Sequence, residues 1–335
     1  MPGAIEIVAT TAQSPPLRGR GENDGTRRLS SARGGTCTPQ AGLLRAPARW
    51  VYLNEIHHMT VIMLGLGLLI AGSQTPSTAP AADGQPEPRD TMVSVGDHSL
   101  HLVIRRGTRP VTIVLEAGGG SDLGGWYDVP ALLAREMGAT VVAYDRAGFG
   151  RSELGAPDLT PDQEVADLYR ALRAVAAPEK TIHVGHSYGA LLALLSAARF
   201  PDRVVGVVLV DPMNPRFVER TGDFVFSTAP RIEHPSTIRE RAVVRLTNGF
   251  RGLLGAVAAI EPTLPQPIVI VTAGRPWWGR ADVDQAWRKS HADMAAASPR
   301  RRLILAERSQ HDVPRQEPET IVAALELLLE LPAQP

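Results

Sequence analysis

Short apolar runs alternate with helical patterns along the chain from Thr91 onwards. The runs are rich in β-branched residues and are apolar on both faces, without the polar alternation of a sheet that has one face in water. Such runs are typical of parallel strands that are covered on both sides. We therefore predict buried strands at Val111–Leu115, Thr140–Ala143, Thr181–Val184, Val204–Val210, Ile268–Thr272 and Leu303–Ala306.

A hairpin and several helices complete the pattern. Met92–Val95 and Leu100–Ile104 flank Gly96-Asp97, which is a turn signal between two strands. The clearest helix begins after Thr160, with Gln163 three residues after this N-cap. This order predicts an α/β fold: a doubly wound, mostly parallel sheet with an N-terminal hairpin and helices on both faces.

One interval breaks the alternation of strands and helices. Between Pro212 and Pro265 the chain carries several phenylalanines and arginines and two helix-like stretches, near 236–249 and 251–260. An insertion of this length between two strands predicts a helical cap over one edge of the sheet, at about residues 212–265.

The residues before Thr91 have a different composition. An apolar run at 61–71 is too short for a comfortable membrane span, but its length suits the apolar region of a signal peptide. Two possibilities for the location stay open: export or membrane association, and the cytoplasm. Any membrane contact is expected only through residues 59–71. Residues 1–55 are predicted to be an extension that does not fold alone, or one that results from a start site assigned too early. The following parts are a signal-like segment at 56–73, a linker at 74–90 and the folded domain at 91–335.

Composition narrows the possible partners and cofactors. Lys and Arg total 35, as do Asp and Glu, so no global field favours nucleic acid. Cys37 is the only cysteine, which excludes an intramolecular disulfide and a cysteine-based metal site. We expect neither a cofactor nor a metal, and the oligomeric state is not predicted.

The sequence Gly185-His186-Ser187-Tyr188-Gly189 lies between a predicted strand and a helix-prone segment. This is the Gly-x-Ser-x-Gly pattern in the context where it forms a sharp turn with an exposed serine hydroxyl. The glycines are needed because side chains there would collide with neighbouring backbone. We predict Ser187 as a nucleophile.

These residues carry a family resemblance over about 91–335. The chain resembles the serine-nucleophile branch of the α/β-hydrolase superfamily. Besides the serine turn, Tyr144–Ser152 is similar to the family's turn after its fourth strand, and Leu115–Gly120 resembles its oxyanion loop. Glu116-Ala117 stands where the family more often has His-Gly. The resemblance implies a serine hydrolase that cleaves an ester or related acyl bond through an acyl-enzyme intermediate.

A serine nucleophile needs a base, and the order of residues in the chain selects one. Among the nine histidines, His311 follows the last predicted strand in a loop, as the base does in this fold. We predict His311 as the general base, with His291 as the alternative.

The third member of the triad departs from the usual family pattern. Trp277 stands near the position after the seventh strand where an acid is common. Asp211 ends the sixth strand, which is a known alternative location in related hydrolases. We favour Asp211 as the acid that orients His311, and keep Asp282 and Asp284 as alternatives.

The oxyanion hole is expected to consist of two backbone N–H groups. One belongs to Tyr188, and the other to Gly118 or the adjacent Gly119. The partner is expected to be a small-molecule substrate, with an apolar group suggested by Trp126, Trp277, Trp278 and the cap phenylalanines.

Other functions either fit the sequence less well or stay open. A dinucleotide site is disfavoured because Leu123 occupies the third glycine position of Gly-x-Gly-x-x-Gly. A non-catalytic ligand-binding protein on the same fold stays open, as do lactonase, aminopeptidase and carbon–carbon hydrolase chemistry. A serine at the turn disfavours dehalogenases and epoxide hydrolases, whose nucleophile in this family is Asp.

Overall fold

A computed structural model of the protein describes residues 87–332. The predictions for 1–55, for 56–73 and for most of the linker at 74–90 lie outside the described residues. The first strand begins at Arg89, slightly before the predicted start of the folded domain.

One eight-stranded sheet forms the centre of the domain, with strand order β1-β2-β4-β3-β5-β6-β7-β8. The hairpin strands β1 and β2 pair antiparallel, β2 pairs antiparallel with β4, and all remaining pairs are parallel. This confirms the predicted fold. The strands are β1 (Arg89–Ser94), β2 (Ser99–Arg105), β3 (Arg109–Glu116), β4 (Ala139–Tyr144), β5 (Thr181–His186), β6 (Val204–Val210), β7 (Ile268–Ala273) and β8 (Arg301–Ala306).

The inner strands are apolar on both faces because each face packs against a layer of helices. In β6, Val207 and Leu209 belong to one core, while Val208 and Val210 belong to the core on the other face. Every residue of β4 and β7 is buried. Alternation along one strand therefore separates two cores instead of separating core from solvent.

Nine α-helices and two short 3-10 helices accompany these strands within residues 87–332. In the helix that starts at Pro161, Thr160 and Gln163 form the predicted capping box: the Thr160 hydroxyl accepts from Gln163 N at 3.3 Å, and Gln163 Oε1 accepts from Thr160 N at 2.8 Å. The α-helices are α1 (Val129–Met137), α2 (Pro161–Ala174), α3 (Gly189–Arg199), α4 (Pro215–Thr221), α5 (Phe224–Ser227), α6 (Ile238–Ile260), α7 (Ala281–Ala296), α8 (Val313–Gln316) and α9 (Glu319–Glu330).

The insertion between β6 and β7 contains α4, α5 and α6. The two helix-like stretches predicted near 236–249 and 251–260 are one continuous helix, so the predicted break was wrong. Gly249 lowers helix propensity by roughly 1 kcal/mol relative to Ala, but does not end the helix. The burial of Phe250 and Leu253 on the following turn stabilises the helical path through it.

Within the described residues, the segment Ile238–Thr263 is long and apolar enough to cross a membrane by length and composition. Its apolar face packs inside the domain, where Phe250, Leu253, Leu254 and Val257 are buried.

Candidate active site

Ser187 occupies the tight turn between β5 and α3. Its φ of 53° lies in the left-handed region, which is strained for a residue with a side chain. The Ser187 N–H donates to Val210 O of the neighbouring strand at 3.0 Å, which fixes the turn at the carboxyl edge of the sheet. The serine hydroxyl therefore faces the cavity above this edge.

The two glycines of the turn leave no room for side chains. A Cβ on Gly185 would lie 2.6 Å from Gly189 O, and a Cβ on Gly189 would lie 2.1 Å from Glu116 O. Because both obstacles are backbone atoms, a small side-chain adjustment cannot remove either clash.

We expect Gly189→Ala to reduce both stability and activity. The added methyl must push β3 away from the turn, and overpacking of this kind typically costs about 1–3 kcal/mol. Thermal unfolding and ester turnover would measure the effect. The matched control is Gly252→Ala in α6, where a Cβ meets nothing within 4 Å. That helical substitution should stabilise the protein by up to about 1 kcal/mol. Equal melting temperatures for the two variants would contradict this account of the turn.

Ser187, His311 and Asp211 lie in one hydrogen-bonded line. His311 Nε2 is 3.0 Å from Ser187 Oγ, and His311 Nδ1 is 2.7 Å from Asp211 Oδ2. An ionised carboxylate can only accept, so the Nδ1–H of His311 donates to Asp211. The lone pair on Nε2 is then directed at the serine hydroxyl.

Asp211 is fully buried at the end of β6, with a φ of 41°. Its Oδ1 accepts hydrogen bonds from Ala273 N and from Trp287 Nε1, both at 2.9 Å. Burial alone would raise the pKa of the carboxyl, but the hydrogen bond from His311 and the nearby imidazoles of His311 and His291 outweigh it. The pKa of Asp211 is therefore lowered, which keeps the carboxylate ionised.

The alternative residues have other partners. His291 is buried: its Nε2 donates to Pro212 O at 2.8 Å and its Nδ1 accepts from the Thr272 hydroxyl at 2.8 Å. Asp282 is exposed and binds Arg280. Asp284 accepts from the backbone N–H groups of Trp277 and Trp278 at 2.9 and 3.1 Å, and so caps the loop after β7. None of these three contacts Ser187 or the imidazole of His311.

The predicted oxyanion donors lie around the serine. Gly118, Gly119 and Tyr188 all line the cavity with Ser187. Among the described residues, none accepts a hydrogen bond from the backbone N–H of these three. The backbone N–H groups of Gly118 and Gly119 in the loop at residues 117–120, here called the glycine loop, and of Tyr188 before α3 therefore have no acceptor among the described residues.

Arg146 holds the glycine loop from behind, a role that sequence reasoning missed. Its guanidinium is buried and donates to Ala117 O at 2.5 Å and to Gly118 O at 2.7 Å. Because both carbonyls point at Arg146, the following N–H groups are free to face the cavity. Arg146 lies in the turn already noted after β4, but nothing in that motif indicates where its side chain reaches.

Two aromatic rings fix the position of His311, and sequence reasoning missed their roles as well. Trp277 stacks on the imidazole with ring centroids 4.1 Å apart and an interplanar angle of 17°. His186 Nε2 donates to His311 O at 2.9 Å. Burial lowers the pKa of His186 to about 3, so its imidazole is neutral and its Nδ1 is a hydrogen-bond acceptor.

Glu116, the departure from the usual oxyanion loop, is fully buried beneath the loop. It accepts a hydrogen bond from the Tyr144 hydroxyl, and its Oε1 lies 3.3 Å from His183 Nδ1. Burial and the neighbouring Glu116 charge raise the pKa of Tyr144, which keeps the phenol protonated as a donor. Glu116 therefore belongs to a polar network under the loop, not to the cavity.

A cavity of about 360 Å³ opens above Ser187. Its floor is the glycine loop and the serine turn, and its roof is formed by α5, α6 and the residues that connect them. Among residues 87–332, no group of His, Cys, Asp or Glu side chains is arranged to hold a metal ion. Met213, which precedes α4, also lines the cavity, and the apolar roof residues are Val225, Ala229, Pro230, Val243, Leu246 and Phe250.

Comparisons with known proteins agree with this architecture. A family model described as the alpha/beta hydrolase fold matches residues 111–230. The uncharacterized protein YqjL of Bacillus subtilis (strain 168) is 29% identical over 229 residues, which cover 68% of this chain and 87% of YqjL.

One further relative and one solved structure are esterases by name. Esterase PIR7B of Oryza sativa subsp. japonica is 35% identical over 111 residues, which are 31% of this chain and 41% of that protein. The structure of a thermophilic esterase from Thermogutta terrifontis superposes with a TM-score of 0.54 at 18% identity, covering 73% of this chain and 98% of the esterase. At this identity the superposition establishes the fold alone.

Proposed function

We propose that this chain, which belongs to the α/β-hydrolase superfamily, is a serine hydrolase that cleaves an ester or related acyl bond. The observation that carries the proposal is the continuous hydrogen-bonded line from Ser187 through His311 to Asp211. Its three side chains come from three separate segments of the chain, and a line of this kind is what activates a serine hydroxyl.

In the proposed acylation, His311 Nε2 takes the proton of Ser187 as Oγ attacks the acyl carbonyl carbon. The carbonyl oxygen becomes negative and receives hydrogen bonds from the backbone N–H of Tyr188 and of Gly118 or Gly119. The imidazolium then gives its proton to the leaving alcohol oxygen. The products of this step are the free alcohol and an acyl group bonded to Ser187.

Deacylation uses the same groups in reverse. A water molecule enters where the alcohol left, and His311 takes one of its protons as the oxygen attacks the acyl carbon. Collapse of the second tetrahedral intermediate breaks the bond to Ser187 Oγ, which recovers its proton from His311. The product is a carboxylic acid, and the negative charge of Asp211 stabilises the imidazolium in both steps.

The cavity supports a small-molecule substrate with an apolar group. Its roof is aliphatic and aromatic, and its volume of about 360 Å³ suits a small acyl or alcohol moiety. The names of Esterase PIR7B and of the Thermogutta terrifontis enzyme agree with ester chemistry. Carboxylic esters with an apolar group are therefore the first compounds to assay.

A fluorophosphonate probe and a graded series of p-nitrophenyl esters, from acetate to palmitate, test this function. The probe should label the purified protein once, on the peptide that contains Ser187, and labelling should abolish ester turnover. Phenylmethanesulfonyl fluoride, a second serine-directed reagent, should block the labelling. Absence of both labelling and turnover would favour a non-catalytic binding protein on the same fold.

A further inference from the structure

Arg239 is a basic side chain in the roof of the cavity above Ser187. It is the second residue of α6, and its Nη2 donates to Gly120 O at 2.7 Å. The guanidinium therefore lies against the glycine loop, next to the residues proposed as oxyanion donors. Arg239 lines the same cavity as Ser187 and His311.

Arg239 has no carboxylate partner within residues 87–332, and its hydrogen bond to Gly120 O leaves further N–H donors unused. Two other arginines of α6 are paired with carboxylates, Arg245 with Glu164 and Arg251 with Asp223. Arg241 is exposed and donates to Ser236 O, outside the cavity. Arg239 is half-buried and lies among the mostly apolar residues of the roof. Its guanidinium is therefore available to an anion inside the cavity.

The position of Arg239 in its helix points the same way. The first turn of a helix carries positive potential, which disfavours a cation and favours an anion. In α6, the Glu240 carboxylate already meets this preference through hydrogen bonds to Ser236 N and Thr237 N. Arg239 therefore has an unfavourable interaction with the helix dipole, which an anion bound to its guanidinium would reduce.

Two carboxylates also line the cavity, and both have partners. Asp122 Oδ1 accepts from Gly124 N at 2.9 Å, and Asp312 Oδ2 accepts from the Tyr127 hydroxyl at 3.1 Å. Their charges would repel an anion, so an anionic group is favoured in this cavity only where the guanidinium of Arg239 offsets them. Hydrogen bonds to Arg239 would orient a substrate that has one charged end.

We propose that Arg239 binds a free carboxylate of the substrate, which makes the preferred substrate class an ester that carries a carboxylate. The inference rests on the proposed esterase function of the same cavity. Arginine suits this role because its planar donors match a carboxylate in pairs. The carboxylate can belong to the acyl group or to the alcohol, and the two sources require separate substrates.

The test compares pairs of esters that differ only in the carboxylate. For the acyl side, the pair is p-nitrophenyl hydrogen adipate and p-nitrophenyl methyl adipate. For the alcohol side, it is 4-(butyryloxy)phenylacetate and its methyl ester. At low ionic strength, we expect one acid to exceed its methyl ester in kcat/KM by about ten- to a hundredfold, as a charge-assisted hydrogen bond allows.

Variants of two neighbouring arginines assign the preference. Arg239→Gln should reduce the acid-to-methyl-ester ratio to about 1, and Arg239→Lys should keep part of the preference. Arg241→Gln is the matched control, since Arg241 is an exposed arginine of the same helix that does not line the cavity. It should keep the wild-type ratio. Melting temperatures show whether each variant is folded.

A binding measurement separates this inference from the proposed function. The affinity of p-nitrophenyl hydrogen adipate and of 4-(butyryloxy)phenylacetate is measured by calorimetry in Ser187→Ala, with and without Arg239→Gln. Weaker binding of either acid in the double variant supports the inference even if the wild type proves to be no esterase. A wild-type ratio of 1 or less for both pairs, or a ratio that Arg239→Gln leaves unchanged, overturns the inference while ester hydrolysis stands.

Discussion

Ser187→Ala is expected to lower kcat for ester hydrolysis by about 10⁴- to 10⁶-fold, the range seen when a serine nucleophile is removed. The hydroxyl that His311 Nε2 faces at 3.0 Å is lost, and no other serine contacts this imidazole in the described residues. The backbone donors and the cavity remain, so substrate binding should persist. Stopped-time assays at high enzyme concentration, together with a binding measurement, would separate the two effects.

The control for this variant is Ser227→Ala. Ser227 is an exposed serine in the same insertion that roofs the cavity, and its hydroxyl donates only to Phe224 O of its own helix. Its removal should leave turnover and fluorophosphonate labelling as in the wild type. Turnover near the wild-type level in Ser187→Ala would refute the nucleophile assignment, whatever the behaviour of the control.

Local patterns are enough to predict the sheet and the serine turn. The run Val204–Val210 coincides with β6, because a strand covered on both faces must be apolar at nearly every position. At the turn around Ser187, Gly185 is required by its contact with Gly189 O inside the motif, whereas Gly189 is required by Glu116 O at the end of β3. In β6 and at Gly185, the determining interactions are short in sequence or repeat along one strand.

Contacts between distant segments are not readable in this way. Asp211 and His311 are 100 residues apart, and three carboxylates fit the chain order almost equally well. Arg146 and Arg239 both donate to carbonyls of the glycine loop, but arginines at those positions look like ordinary charged residues of a turn and a helix. The continuity of α6 depends on burial of its apolar face, which helix propensity around Gly249 does not reveal.

The acid is the member of the site whose assignment depends most on these distant contacts. Trp277 lies near the sequence position where the family commonly has the acid, and it stacks on the imidazole of His311 instead of accepting a hydrogen bond from its Nδ1–H. The carboxylate comes from the end of β6, where Asp211 Oδ1 is held by Ala273 N and Trp287 Nε1. Those two donors leave Oδ2 directed at His311.

Asp211→Asn is expected to reduce kcat by about 10⁴-fold with little change in substrate binding, as for other triad acids. The amide oxygen would stay with the donors of Ala273 and Trp287, so the amide NH₂ would face His311. That NH₂ can only donate, which forces Nδ1 to act as an acceptor and places the imidazole proton on Nε2. An Nε2–H directed at Ser187 cannot remove the hydroxyl proton. Steady-state kinetics and a binding titration would separate kcat from affinity.

Asp282→Asn and Asp284→Asn are the matched controls, and both should stay within about threefold of wild-type turnover, as expected for residues without a role in the reaction. Asp282 is exposed and paired with Arg280, and an asparagine at 284 can still accept from the N–H groups of Trp277 and Trp278. A fall in turnover for either control, with Asp211→Asn near wild type, would transfer the acid to the loop after β7. That loop would then have to fold back so that its carboxylate replaced Trp277 beside the imidazole.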